Sequence, residues 1–147
     1  MSKQEYNMII KEIVHNKIYL QLKNYTQHNE SIYDHSLKVS YLAYKISKKL
    51  KLDYISATRG ALLHDFFLYD WRIEGKLNKK KLFQKHGFTH PKEALINAKK
   101  HFNINKKEED IIIKHMFPLT ICPPIYLESW VVTLSDKYIS IIEILNL

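Results

Sequence analysis

Five polar side chains stand where a helical protein ordinarily keeps hydrocarbon. His35 lies three residues after Ile32 and four before Val39, His115 four after Ile111 and three after Ile112, and Asp136 four after Val132 and three before Ile139. At 3.6 residues per turn, each projects from the apolar face of its own helix. His64 and Asp65 directly follow Leu62 and Leu63, so at least one of the pair shares the buried side. Burying imidazoles and carboxylates is costly unless they find partners. Two arrangements offset that cost: a network of hydrogen-bonded ion pairs, or a metal ion that takes neutral imidazole nitrogen and ionised carboxylate oxygen as ligands. Lys and Arg are scarce on these stripes, and His is the commonest protein metal ligand, so the residue types favour the metal. With Cys122 as the single cysteine, thiolate clusters and intramolecular disulfides are excluded, and nitrogen and oxygen must do the holding.

The elements that position these residues read as helices. A first helix or helix pair over about residues 3–24 offers Met8, Ile9, Ile13, Leu20 and Leu22 as inward residues. Ser31 caps a second helix running to Leu50, with Ile32, Val39, Leu42, Ala43 and Ile46 as its apolar stripe. Asp53 caps a third that ends at His64 and Asp65, after which FFLYDWRIEGKLNKK reads as a loop. Pro91 suits the first turn of a fourth helix reaching about His101, and Asn105 with Glu108 forms a near capping box opening a fifth. From Leu127 a last helix follows Trp130, Val131, Leu134, Tyr138, Ile141, Ile142 and Leu145 to the C-terminus. Six or so helices without a convincing strand predict an all-α bundle. At 147 residues, with 46% hydrophobic and 26% charged residues, the chain is expected to form one domain over residues 1–147 with a core of its own.

Taken in order, the His of SIYDHSLKVSYLAYKI, the His-Asp pair of GALLHDFFLYDW and the Asp of VTLSDKY resemble the HD-domain superfamily of metal-dependent phosphohydrolases. The resemblance covers about residues 31–140. It implies that His35, His64, Asp65 and Asp136 hold a first divalent ion. Members with two ions add a His commonly followed by Pro and a His after an isoleucine-rich turn. Here these are His90 in GFTHPKEAL and His115 in DIIIKHMFP, with Asp65 bridging the ions. Met116 follows His115 where the HD-GYP branch has a second histidine, and the signature naming that branch is missing, so cyclic-dinucleotide hydrolysis is not implied.

The activity implied is hydrolysis of a small phosphorylated substrate, such as a nucleotide, by attack of a metal-bridging hydroxide on phosphorus. Asp65 is then catalytic as well as a ligand. Lys137, after Asp136, and Arg72, in the loop after the His-Asp pair, are candidate phosphate clamps. Asp70 is a candidate proton donor to the leaving group. Imidazole-rich ligation suits Mn, Fe, Co, Ni or Zn. The same six ligands also occur in mixed-valence di-iron oxygenases of this fold, and a binding module holding a nucleotide or nucleic acid without turnover is the third reading.

Nucleic acid is not the favoured partner. The net charge of +8 is spread evenly, with 11 basic and 7 acidic residues up to position 73 and 12 and 8 beyond it. No apolar run is long enough to span a membrane, and the opening MSKQEYNMIIKEIVHN mixes charges where a signal peptide has an apolar core, so a cytoplasmic location is expected. His15, His28 and His101 read as surface residues, and Gly87 with Pro91 argues against a continuous helix through His86 and His90. Cys122, before two prolines, reads as structural. Phe66, Phe67, Tyr69 and Trp71 read as pocket wall, with substrate choice set by residues 66–88 and 116–126.

Overall fold

Side-chain caps set the starts of three of the helices that carry the site. In the computed structural model, which describes residues 2–27, 30–68 and 79–146, helix α1 spans Ser2–Val14. Asn16 Oδ1 then accepts from the amides of Ile18 and Tyr19, at 2.9 and 3.1 Å, turning the chain into a short 3-10 helix at Tyr19–Asn24. Ser31 Oγ accepts from the Asp34 amide at 3.1 Å and opens α2, Ile32–Lys49. Asp53 opens α3, Tyr54–Leu63, by accepting from the Ser56 amide at 3.1 Å. Helix α4 spans Lys79–His101. Asn105 and Glu108 exchange both bonds of a full capping box at 2.8 Å, opening α5, Lys106–Lys114. Helix α6 spans Leu127–Leu145. The fold is all-α, as expected, except that Thr26–Gln27 (β1) pairs antiparallel with Glu30–Ser31 (β2) in a two-residue ladder that no alternating pattern announces.

Helix α2 packs against α3 and α6, and α5 bridges α3 and α6. One buried cluster joins α1 and the 3-10 helix to the rest through Tyr19, Leu22, Ile32, Leu62, Phe66 and Ile112. A second, of Val39, Ala43, Ala57, Ala61, Ile111 and Val132, ties together the four helices α2, α3, α5 and α6. Three of its members lie one turn from His35, His115 and Asp136, so this apolar layer sets where those side chains converge. A close approach supports it: a Cβ on Gly60 would lie 2.6 Å from Ile111 Cδ1, so glycine is what lets α3 and α5 touch.

Three expectations differ from the structure. Met8 is 78% exposed, and Tyr6 and Ile10 are the buried residues of α1 in its place. Helix α4 does not begin at Pro91 but passes through it, so His86 and His90 share one helix. Pro91 has no amide proton, so the helix continues with one hydrogen bond of its ladder forgone. The third difference is the largest. Leu127, Leu134, Tyr138, Ile141 and Leu145 of α6 are 56–65% exposed, whereas Glu128, Ser129, Thr133, Asp136 and Glu143 are buried. The orientation of α6 follows its hydrogen bonds: Glu128 accepts from the Asp53 amide at 2.8 Å, Asp110 accepts from Ser129 Oγ at 2.6 Å, and Asp136 and Glu143 both meet His35. Unpaired burial of these groups would cost more than leaving hydrocarbon in water.

Candidate metal centre

Five helices deliver six buried donors to one place. His35 lies in the first turn of α2, His64 and Asp65 immediately follow α3, His90 lies in α4, His115 ends α5, and Asp136 lies midway along α6. Each is at most 8% exposed. His35 Nε2 stands 2.9 Å from Asp136 Oδ1 and 3.7 Å from Asp65 Oδ2, while His64 Nε2 is 3.2 Å from each of those oxygens. The other oxygen, Asp65 Oδ1, faces His90 Nε2 at 3.2 Å and His115 Nε2 at 3.4 Å, and those two nitrogens are 2.9 Å apart. The donors therefore form two groups, one of four and one of three, and Asp65 belongs to both.

The chemistry of this donor set fits metal ions. His64 Nδ1 donates to the Ala61 carbonyl, His115 Nδ1 to the Ile112 carbonyl at 2.8 Å, and His35 Nδ1 to Glu143 at 2.8 and 3.0 Å. A neutral imidazole with its Nδ1 proton so occupied presents a lone pair at Nε2. Those lone pairs of His35, His64 and His115 point at carboxylate oxygens, acceptor against acceptor, which is stable only if a proton or a cation stands between them. Nitrogen and oxygen ligands at 2.0–2.2 Å from one ion lie about 3 Å from their neighbours, which matches these separations. Among the described residues the ion pairs of Asp65 and Asp136 are all with imidazoles.

Protons fill the role in the metal-free state. Burial pushes the His35 imidazolium down, but the carboxylates of Asp136 and Glu143 outweigh it and raise its pKa to about 9. His64 is likewise desolvated, yet Asp65 and Asp136 hold it well above the ordinary histidine range. Burial raises the carboxyls of Asp65 and Asp136, and the neighbouring histidines, His64 foremost, more than reverse that and hold both below the usual carboxylate range. His115 goes the other way: burial lowers it, and the adjacent His64 and His90 add to the effect.

A family model of the HD domain matches residues 32–141, most of the chain. The chain belongs to the HD-domain family. No curated protein and no solved structure matches it. The HD-domain family is generally one of metal-dependent phosphohydrolases, and its members bind divalent metals, in keeping with the buried His/Asp groups. No helix among the described residues is long and apolar enough to cross a membrane.

The HD-domain match spans the six donors and stops short of Glu143, which sequence reasoning also missed. Glu143 is 6% exposed and orients the His35 ring from behind. Its spacing was the available signal, since it lies seven residues after Asp136 and hence on the same side of α6. Lys137 is half-buried, donates to the His115 carbonyl at 3.2 Å and is thereby held beside the three-donor group, with burial lowering its pKa. Phe67 packs edge-on against the His90 ring at 5.3 Å, as a pocket wall would, while Phe66 lies among Tyr19 and Phe102 in the core. Arg72, Asp70, Tyr69, Trp71 and His28 lie outside the described residues, as does the His86 side chain. His15 is exposed and His101 half-buried, and Cys122 is exposed instead of packed.

Proposed function

We propose that this HD domain is a phosphohydrolase that holds two divalent ions, of Mn, Fe, Co, Ni or Zn, and acts on a small phosphorylated substrate, residues 1–147 working as one catalytic unit. The observation that carries this reading is the carboxylate of Asp65, which turns one oxygen toward His35 and His64 and the other toward His90 and His115. That is the placement a bridging ligand requires. When bound, a pair of ions supplies Lewis-acid polarisation of a phosphoryl group and a lowered pKa for a water between them. The protein's part is to present neutral imidazole lone pairs, which the Nδ1 bonds to Ala61, Ile112 and Glu143 arrange, and to keep the site dry. Four imidazoles and two carboxylates leave two divalent ions under-neutralised, and an anionic substrate completes the balance. Lys137 adds a cation at the rim beside His115. Arg72 and Asp70, five and seven residues along the chain from Asp65 in reverse order, take the roles of second phosphate clamp and leaving-group acid by their side-chain chemistry.

Elemental analysis of the purified protein, followed by a panel of phosphomonoesters and phosphodiesters assayed with the metal found, tests the proposal. Bound divalent metal and turnover of at least one ester are expected, both lost on His64→Ala. A His64→Ala protein retaining its metal and its turnover would overturn it.

A further inference from the structure

The outer face of α6 carries an apolar seam that no other described element covers. Leu127, Val131, Leu134, Tyr138, Ile141 and Leu145 alternate in steps of four and three, the a/d spacing of a helix that packs along another helix. Five of the six are 56–65% exposed. Charge is missing from this side: Glu128, Asp136 and Glu143 are buried on the opposite face, and Lys137 is half-buried against His115.

We infer that this face is the contact between two copies of the chain, with α6 packed antiparallel on α6 across a two-fold axis near Asp136. Three observations select a second copy. The seam is symmetric about position 136, so a two-fold axis sets Leu134 against the partner's Tyr138, Val131 against the partner's Ile141 and Leu127 against the partner's Leu145, leaving no position unmatched. The relief is also self-complementary. Leu42, Ile46 and Leu50 of α2 wall, with Leu127, Val131, Leu134 and Tyr138 of α6, an apolar groove of about 770 Å³, and beyond it along α6 Ile141, Ile144 and Leu145 are 56–61% exposed. Antiparallel pairing lays the exposed C-terminal end of each helix along the groove of the other. Finally, at ~60–120 Å² of apolar surface per side chain the face offers on the order of 500–1,000 Å², which brackets the roughly 800 Å² per partner of a stable interface. None of the six seam positions of α6 carries a charge.

Sedimentation of the intact 147-residue protein at about 10 μM, a concentration above the Kd expected of a standard-size interface, should give the dimer mass. The double variant Leu134→Glu/Ile141→Glu should sediment as a monomer with an unchanged helical circular-dichroism spectrum. Should that variant unfold, disulfide trapping decides: in a Cys122→Ser background, a mixture of Leu134→Cys and Tyr138→Cys proteins should give the mixed disulfide in preference to either homodisulfide. A wild-type monomer, a double variant that stays dimeric, or no mixed disulfide would each overturn the inference. So would a wild-type monomer that pellets with phosphatidylcholine vesicles, which would assign the face to a lipid surface.

Discussion

The two donor groups share a carboxylate and differ in almost everything else. The four-donor group has two carboxylates for two imidazoles, and Glu143 adds a third anion behind His35. The three-donor group has two imidazoles and only the Asp65 oxygen that faces it. In the metal-free protein this imbalance shows as protonation: His35 and His64 are held in their charged form above the ordinary histidine range, while His115 is driven below it. An ion entering the four-donor group therefore displaces protons that hold the apo site together, whereas His115 in the three-donor group is already driven toward its neutral form. The first group can retain a cation by its own charge. The second depends on Asp65.

Asp65→Asn breaks the comparison altogether, because it removes the single oxygen donor of one group and half the carboxylate charge of the other. The expected outcome is loss of both ions by elemental analysis, with turnover down more than about 10³-fold, the scale on which groups acting as one unit fail together. His115→Ala separates the groups. Metal content should fall from about two equivalents to about one, since the four-donor group keeps all its ligands, and turnover should drop because a single ion cannot clamp the phosphoryl group from both sides. Retention of both equivalents would show that His115 is not a ligand.

How much of this was legible follows from where each residue sits in its pattern. His35, His115 and Asp136 interrupt apolar stripes at regular spacing, so a polar inward position can be read directly from periodicity. Asn105, Ser31 and Asp53 cap as their side-chain chemistry dictates. His90 lies three residues after Gly87 and directly before Pro91, a context that predicts a break where the helix in fact continues, so only the resemblance pointed to it. Glu143 was hidden because α6 is apolar on its outer side. A helix with hydrocarbon on one face is taken to bury that face, and nothing local reveals that the buried side is held by hydrogen bonds to His35, Asp53 and Asp110. Gly60 looks like a weak helix residue until Ile111 is seen against it.

Glu143→Gln gives the smallest effect and the sharpest test of the difference between the groups. Glutamine can still accept from His35 Nδ1, so the ring keeps its orientation while the anion is lost. Ligand basicity falls, and affinity for the ion of the four-donor group should weaken by about 10–100-fold, as loss of a supporting carboxylate typically does, with the three-donor ion unaffected. The metal-free protein responds through its protons. The folded pKa of His35, about 9, lies above its unfolded value, so its contribution to stability is complete below that unfolded value and is lost as pH rises through about 9. Thermal unfolding of the chelated wild type should accordingly fall in midpoint between neutral pH and pH near 10. In Glu143→Gln the folded pKa drops, the drop in midpoint shrinks and moves to lower pH, and metal restores both proteins to a nearly pH-independent midpoint because the ion, not a proton, then separates the lone pairs. An unaltered pH profile in the variant would mean that Glu143 only shapes the core and does not tune the four-donor group.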